Sequence, residues 1–444
     1  MNESEILRAI HGGSAAEIVD DVRGLIERGA LATGAQLPPV RTLAEHLGVN
    51  RNTVVSAYRQ LAQAGFLVSR GRGGTQVAGQ SRVPQEGYAT DTVLRDVGAG
   101  NPDPSLLPDL TRALVSLPGR PVLYGEPVVD AGLEELAREW LEPDLTASGP
   151  HRLTVTGGAF DAMERLLAQA LTRDDAVALE DPCFLATIRT VRLAGYRAVP
   201  VPVDAEGMTV EGLREALRQG VRAVVCTPRA QNPTGASLTE ARAAALRDVL
   251  ADHPYVLVIE DDHFSMLSRQ PFRSIVGPDH RRWALVRSVS KFLGPDMSLA
   301  LAMTDADTAD RLALRLSPGT TWVSHLLQRL AHALLTDEDV RRTIAAAGEH
   351  YAERNASFVA RLGERGLEVP PSDGLTLWVP LPATARLVAE RLMRRGWLAR
   401  TGDEFAIDDS RPSHHLRLTV HHLDDALADT LADDLVAAVG AASR

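Results

Sequence analysis

Between residues 97 and 444, short apolar runs alternate with amphipathic stretches of helical period. That alternation restricts the segment to an α/β unit with a mostly parallel sheet covered by helices. The runs at 176–179, 198–201, 223–226, 256–259, 284–286 and 300–303 read as strands. Parallel sheets bind ligands beyond the carboxyl ends of their strands, so the residues that follow each run are the ones to examine for chemistry.

One of them stands out by its type. Of the 47 lysines and arginines in the chain, Lys291 is the sole lysine. Arginine keeps its proton to about pH 12, whereas a lysine amine can lose one and attack a carbonyl. Lys291 sits in Arg287-Ser-Val-Ser-Lys-Phe-Leu-Gly-Pro-Asp296, just past a strand-like run. The task this suggests is a Schiff base with a carbonyl cofactor, and the flanking serines and proline suit pyridoxal 5'-phosphate (PLP).

With 444 residues and 45% apolar content, the chain has ample core for more than one domain. No apolar run reaches the roughly 18–20 residues of a membrane span. The acidic start, Met1-Asn-Glu-Ser-Glu-Ile-Leu, does not read as a secretory signal. Two cysteines, Cys183 and Cys226, give no disulfide framework and fit a reducing cytoplasm. A net charge of −11 argues against a surface generally coated by nucleic acid, but it conceals an asymmetry. Residues 41–82 hold Arg41, Arg51, Arg59, Arg70, Arg72 and Arg82 against a single acid, Glu45. A basic module is fused to an acidic body.

Within residues 1–77, Ser14-Ala-Ala-Glu17 is a capping box that opens a helix to Arg28, with Ile18, Val22, Leu25 and Ile26 inward. A short helix follows Leu37-Pro38-Pro39, spans 40–47 and stops at Gly48. Asn50 or Asn52 caps the next helix, which runs to Ala64 with Val54, Tyr58, Leu61 and Ala62 on one stripe. Its start, Asn50-Arg51-Asn52-Thr53, carries base-reading side chains. Residues 66–77 then form a hairpin with a basic, glycine-rich tip at Arg70-Gly-Arg72-Gly73. Two short helices about a tight turn, followed by a wing, make a helix-turn-helix layout. Residues 78–96, rich in Gly, Gln, Ser, Pro and Thr, read as a linker.

In the body, Thr156-Gly157-Gly158-Ala159 precedes a helix, so its amides either cradle a phosphate or simply cap that helix. Glu180-Asp-Pro-Cys-Phe184 ends a strand with an aromatic able to stack on a ring, and Asn232-Pro-Thr-Gly235 follows the strand ending at Cys226. Glu260-Asp261-Asp262-His263 follows another strand, where a carboxylate could pair with a pyridinium nitrogen and keep the ring an electron sink.

Residues 37–77 resemble the winged-helix domain of GntR-type bacterial repressors. The resemblance implies that Arg41 holds phosphate and that Asn50, Arg51, Asn52 and Thr53 work at the start of a recognition helix. Arg70, Arg72 and Gly73 would reach the groove beside it. Residues 97–444, through the order and spacing of the body motifs with Ser288-Val-Ser290-Lys291, resemble fold-type I, class I/II aminotransferases with a smaller C-terminal α+β domain. Together the two halves resemble the MocR subfamily of transcriptional regulators.

That similarity implies Lys291 as the internal aldimine lysine, Asp261 as partner of the pyridine nitrogen, Phe184 stacked on the ring and Asn232 near the 3'-oxygen. Gly158, Ala159, Ser288 and Ser290 would surround the phosphate, and Tyr124 would reach the phosphate of the neighbouring subunit in a homodimer. Arg417 matches an arginine that grips a substrate α-carboxylate, or is a structural arginine between apolar neighbours. Three positions depart from the pattern. His263 replaces a tyrosine and would titrate near neutrality. Ser298 replaces a phosphate-binding arginine, a loss that Arg287 could make good. Phe160 replaces a polar residue. These changes imply looser PLP binding than in a dedicated enzyme, and the Glu-Asp-Asp-His-Phe and Asp-Pro-Cys-Phe variants resemble a branch linked to vitamin B6 salvage.

The expectation is a cytoplasmic, PLP-responsive regulator of operator DNA acting on vitamin B6 or amino-acid metabolism genes, with PLP and an amino compound as ligands. No metal is expected. The alternative is an active PLP-dependent aminotransferase with an accessory DNA-binding domain.

Overall fold

A computed structural model describes residues 1–64, 66–69, 74–78, 87, 92–117, 119–316, 322–408 and 410–442. The chain divides into two compact units, Met1–Gln85 and Glu86–Arg444. Their boundary falls inside the segment read as a linker, most of which lies outside the described residues, as do Gly65 and the wing-tip residues Arg70, Arg72 and Gly73.

The first unit contains α1 (Glu3–Ala9), α2 (Ala15–Glu27), α3 (Val40–Leu47), α4 (Arg51–Gln63), β1 (Leu67–Ser69) and β2 (Thr75–Val77). The capping box at Ser14 and Glu17 opens α2. Gly48, at φ 65, ends α3 in the left-handed conformation that glycine adopts at no steric cost. Asn50, not Asn52, caps α4: its side chain accepts the Asn52 N–H at 2.8 Å. Helix α1, with its own cap at Asn2, is an element the sequence reading passed over; it contributes Ile6 to a core of Ile10, Ile18, Val22, Leu43, Val54, Tyr58 and Leu61. The buried Tyr58 hydroxyl donates to the Pro38 carbonyl at 2.8 Å, tying α4 to the turn before α3. Strands β1 and β2 pair antiparallel, with Leu67 opposite Val77 and Ser69 opposite Thr75.

In the second unit the strands are β3 (Arg95–Asp96), β4 (His151–Thr156), β5 (Ala176–Asp181), β6 (Arg197–Asp204), β7 (Gly207–Met208), β8 (Ala223–Cys226), β9 (Leu257–Asp261), β10 (Trp283–Ser288) and β11 (Ala300–Asp305), followed by β12 (Leu377–Pro380), β13 (Trp397–Leu398), β14 (Arg400–Thr401) and β15 (His415–Leu418). The main sheet has eight strands in the order β4-β11-β10-β9-β8-β5-β6-β7. Its centre, β10 through β6, is parallel, while β11 runs antiparallel to both β10 and β4.

Alternate residues of these strands feed two cores. Ala178, Val224, Val258 and Leu285 pack into one, whereas Val177, Val225, Ile259 and Val286 pack into the other with Met163, Leu166 and Leu167 of the helix Ala159–Ala170. A sheet covered on both faces explains why its strands read as continuous apolar runs. The smaller sheet, ordered β12-β15-β14, packs its apolar face on a third core with Leu392, Leu431 and Leu435. Among the described residues, no helix is long and apolar enough to cross a membrane.

Candidate functional site

Strands β4, β5, β8, β9 and β10 all point their carboxyl ends to one edge of the sheet, and the antiparallel β11 begins there. The segments leaving that edge enclose a cavity of about 350 Å³. It is lined by Gly158, Ala159, Phe160, Phe184, Asn232, Asp261, His263, Ser288, Ser290, Lys291 and Ser298, which were singled out from the sequence, and also by Asn101, Glu180 and Thr227.

Lys291 follows β10 through a turn in which the Ser290 amide donates to the Ser288 hydroxyl at 3.2 Å. Its Nζ donates to the Gly100 carbonyl at 3.4 Å. On the next strand, Asp261 is 8% exposed, and its Oδ1 is buried with no hydrogen-bond partner. Burial pushes this carboxyl up to about 7, the Asp262 carboxylate adds to the rise, and Lys291 opposes it. A buried acceptor without a donor costs on the order of 1–3 kcal/mol, which a ligand N–H would recover. The residues present therefore fit PLP: an amine for its aldehyde and an orphaned carboxylate for its ring nitrogen.

His263 does not behave as its residue type suggested. Burial, with Lys291 beside it, pushes the imidazole down to about 4, so it is neutral at physiological pH. Glu180 received no role from the sequence. It is fully enclosed, and burial pushes it up to about 8, against hydrogen bonds from the Thr227 amide and the Gln231 side chain. The strand-end position was its only available signal.

Phe184 stacks on Phe160 with ring centroids 5.7 Å apart and planes at 27°. Phe160 belongs to α7 (Ala159–Ala170), which comes after α5 (Thr111–Ser116) and α6 (Ala131–Leu141). Gly158 precedes α7 at φ 103, a backbone conformation that favours glycine, and no side chain caps the helix. The first-turn amides of α7 thus point toward the cavity end formed by Ser288, Ser290 and Ser298.

Arg287 does not replace an arginine at that end. Neighbours on a strand face opposite sides, so Ser288 lines the cavity while Arg287 is fully buried behind it. Its guanidinium bonds Asp262 at 2.7 Å, the Trp140 carbonyl at 2.6 Å and Asp144, and it lies over the Trp140 and Phe272 rings.

Two further residues lie outside the cavity lining. Arg417 on β15 is fully buried, donates to Asn232 Oδ1 at 3.2 Å and to the Gly98 carbonyl at 2.6 Å, and sits over the Phe405 ring. It reaches the cavity lining through Asn232. Tyr124 is 91% exposed, packs edge-on against Trp322 at 5.5 Å and lines a separate open cleft of about 760 Å³.

In the first unit, Arg51 and Asn52 are exposed on the first turn of α4, and Thr53 is half-buried. Asn50 spends its side-chain oxygen on the cap. Arg41 is exposed and pairs with Glu45 one turn along α3 at 2.8 Å.

Comparison with known proteins addresses both units. A family model described as aminotransferase class I and II matches residues 96–435, and one described as bacterial regulatory proteins, gntR family, matches residues 14–77. The chain is 46% identical over 427 residues to the vitamin B6 salvage pathway transcriptional repressor PtsJ of Salmonella typhimurium, covering 96% of this chain and 98% of that protein. It is 25% identical over 381 residues to the probable rhizopine catabolism regulatory protein MocR of Rhizobium meliloti, covering 78% and 76% of the two chains. The crystal structure of Pyrococcus horikoshii kynurenine aminotransferase superposes with a TM-score of 0.71 at 21% identity, covering 79% of this chain and 92% of that one.

Proposed function

The chain belongs to the MocR-type transcriptional regulators, a gntR-family domain joined to a class I and II aminotransferase body, and we propose that it couples PLP binding to operator binding. The observation that carries this reading is the pairing of Lys291 with the orphaned Asp261 carboxylate in one cavity. When bound, PLP supplies an electrophilic aldehyde and an electron-withdrawing pyridinium ring.

The chain's own residues divide the work. Lys291 Nζ would bind the aldehyde, Asp261 would accept the ring N–H, Phe184 would cover one ring face, and Asn232 with neutral His263 would hold the 3'-oxygen. Gly158, Ala159, Ser288 and Ser290 would hold the phosphate. An amino compound is the second ligand of this reading, with Arg417 reaching it by way of Asn232.

Two copies form a homodimer in which Tyr124 serves the partner's site, and its exposure on the isolated chain supports that role. Paired recognition helices then present Arg51, Asn52 and Thr53 to two half-sites, with Arg41 on phosphate. The protein works in the cytoplasm, and the similarity to PtsJ supports repression of vitamin B6 salvage genes.

The test is a mobility shift on DNA from upstream of the protein's own gene, titrated with PLP and repeated with Lys291→Ala. A PLP-dependent change in affinity that the variant lacks supports the reading. Binding indifferent to PLP in both proteins overturns it.

A further inference from the structure

Resting on that reading, we propose that the cavity selects its ligand by aldehyde and ring rather than by phosphate, so that unphosphorylated pyridoxal-type aldehydes are ligands on a par with PLP. The phosphate end is built without a cation of its own. Among the described residues lining the cavity, Lys291 is the one lysine or arginine, and the aldehyde claims it.

The anion-attracting end of α7 is also partly spent. The Gly157 amide donates to Asp161 Oδ2 at 2.9 Å, so a carboxylate of the first turn of α7 already takes one of the amides that line the cavity end. The guanidinium of Arg165 bonds that carboxylate at 2.6 Å and so neutralises Asp161 instead of a ligand. The hydroxyls are engaged as well: Ser288 donates to Ser290 at 3.1 Å, and Ser298 donates to the Gly157 carbonyl at 3.0 Å. A phosphate dianion entering here exchanges internal bonds for its own and, among the described residues lining the cavity, meets no guanidinium and no ammonium besides Lys291. What remains is the helix dipole, which is roughly a two- to fivefold effect on affinity. A charge-assisted bond would give on the order of ten- to a hundredfold.

The ring end has the opposite character. Phe184 is braced by Phe160, and the Asp261 carboxylate waits for a donor. Capture itself does not involve the 5' substituent. The neutral Lys291 amine adds to the aldehyde carbon, a C=N bond forms, and the aldehyde oxygen leaves as water with the two amine protons. No oxidant or reductant enters.

The experiment titrates the full-length chain with PLP and with 5'-deoxypyridoxal, which lacks both the phosphate and the hydroxyl that closes free pyridoxal into a ring. Absorbance follows each adduct, and borohydride reduction with peptide mapping locates it. The expected result is an adduct on Lys291 with both aldehydes and dissociation constants within about fivefold of each other. A Lys291 adduct with PLP but a deoxy compound weaker than that overturns the proposal and leaves the regulator reading standing. No Lys291 adduct with either aldehyde overturns both.

Ser298→Arg places a guanidinium at the exposed rim of the phosphate end, and Asp161→Asn removes the negative charge on the first turn of α7. Each is expected to raise PLP affinity about tenfold and to widen the gap between the two aldehydes. If both variants fold and neither widens it, phosphate does not occupy this end and the proposal fails.

Discussion

Asp261 and Asp262 are adjacent in the chain and face opposite sides of the sheet edge. Asp261 turns its Oδ1 to the Lys291 cavity without a hydrogen-bond partner. Asp262 is fully buried, clasped by Arg229 through two bonds of 2.8 Å and by Arg287 at 2.7 Å. Burial alone would push Asp262 up, but the two guanidiniums prevail and hold it below the usual carboxylate range.

Substitution separates the two roles. Asp262→Ala removes the carboxylate shared by two buried guanidiniums, leaving Arg287 its pair with Asp144, and is expected to cost about 3–5 kcal/mol in denaturant unfolding of the ligand-free chain. Asp261→Asn keeps the shape and removes a carboxyl that the fold does not pair. It is expected to leave stability unchanged or raised while weakening PLP binding by about 1–3 kcal/mol. Equal destabilisation by both variants would contradict the division.

Lys291→Ala is expected to abolish the borohydride-trapped PLP adduct, since 46 arginines and no second lysine remain to replace it. Mass spectrometry of the reduced protein is the check. An adduct that survives elsewhere in the body would remove Lys291 from the centre of the account.

Arg51→Ala is expected to lower specific DNA affinity by roughly 1–3 kcal/mol with PLP binding unaltered. Fluorescence anisotropy on specific and scrambled duplexes measures both terms. Equal losses on the two duplexes would make Arg51 a phosphate contact and not a base reader.

Three buried carboxyls set a pH dependence for the ligand-free body. Burial pushes Glu180 up to about 8, and Glu260 and Asp261 to about 7. Each binds its proton more tightly folded than unfolded, where carboxyls release near about pH 4. These groups therefore favour the folded state at low pH, and that contribution is lost as pH rises from about 4 to about 8. Glu180→Gln retains an acceptor for the Thr227 amide and cannot ionise. Its Tm is expected to match the wild type near pH 4 and exceed it near pH 8.5. Parallel curves would mean that Glu180 does not titrate in this window.

Much of this site was legible in the sequence because strand-end motifs carry their own address. Once 256–259 and 284–286 read as parallel strands, Asp261 and Ser288 had to leave from the same edge as Lys291. What remained illegible depended on facing and burial. Arg287 and Ser288 differ by one step, and only pairing with β9 and β11 decides which meets the cavity. His263 carries a residue type that titrates near neutrality, and enclosure beside Lys291 removes that behaviour. Glu180 lay inside a quoted motif, yet nothing in its spacing distinguishes a strand-end carboxylate that is sealed from one that is solvated. Helix α1 spans seven residues with Ile6 alone buried, too short for a periodic stripe, although the capping box of Asn2 and Glu5 at its start is written in the sequence.

The most direct test of the coupling is to measure the PLP dissociation constant of the wild-type chain with and without saturating operator DNA. Linkage requires DNA to change PLP affinity by the factor by which PLP changes DNA affinity. The expected result is a matching shift of at least about fivefold in both titrations, corresponding to about 1 kcal/mol of coupling. PLP titrations that superimpose with and without DNA would contradict the account, because the cavity and the recognition helices would then act independently.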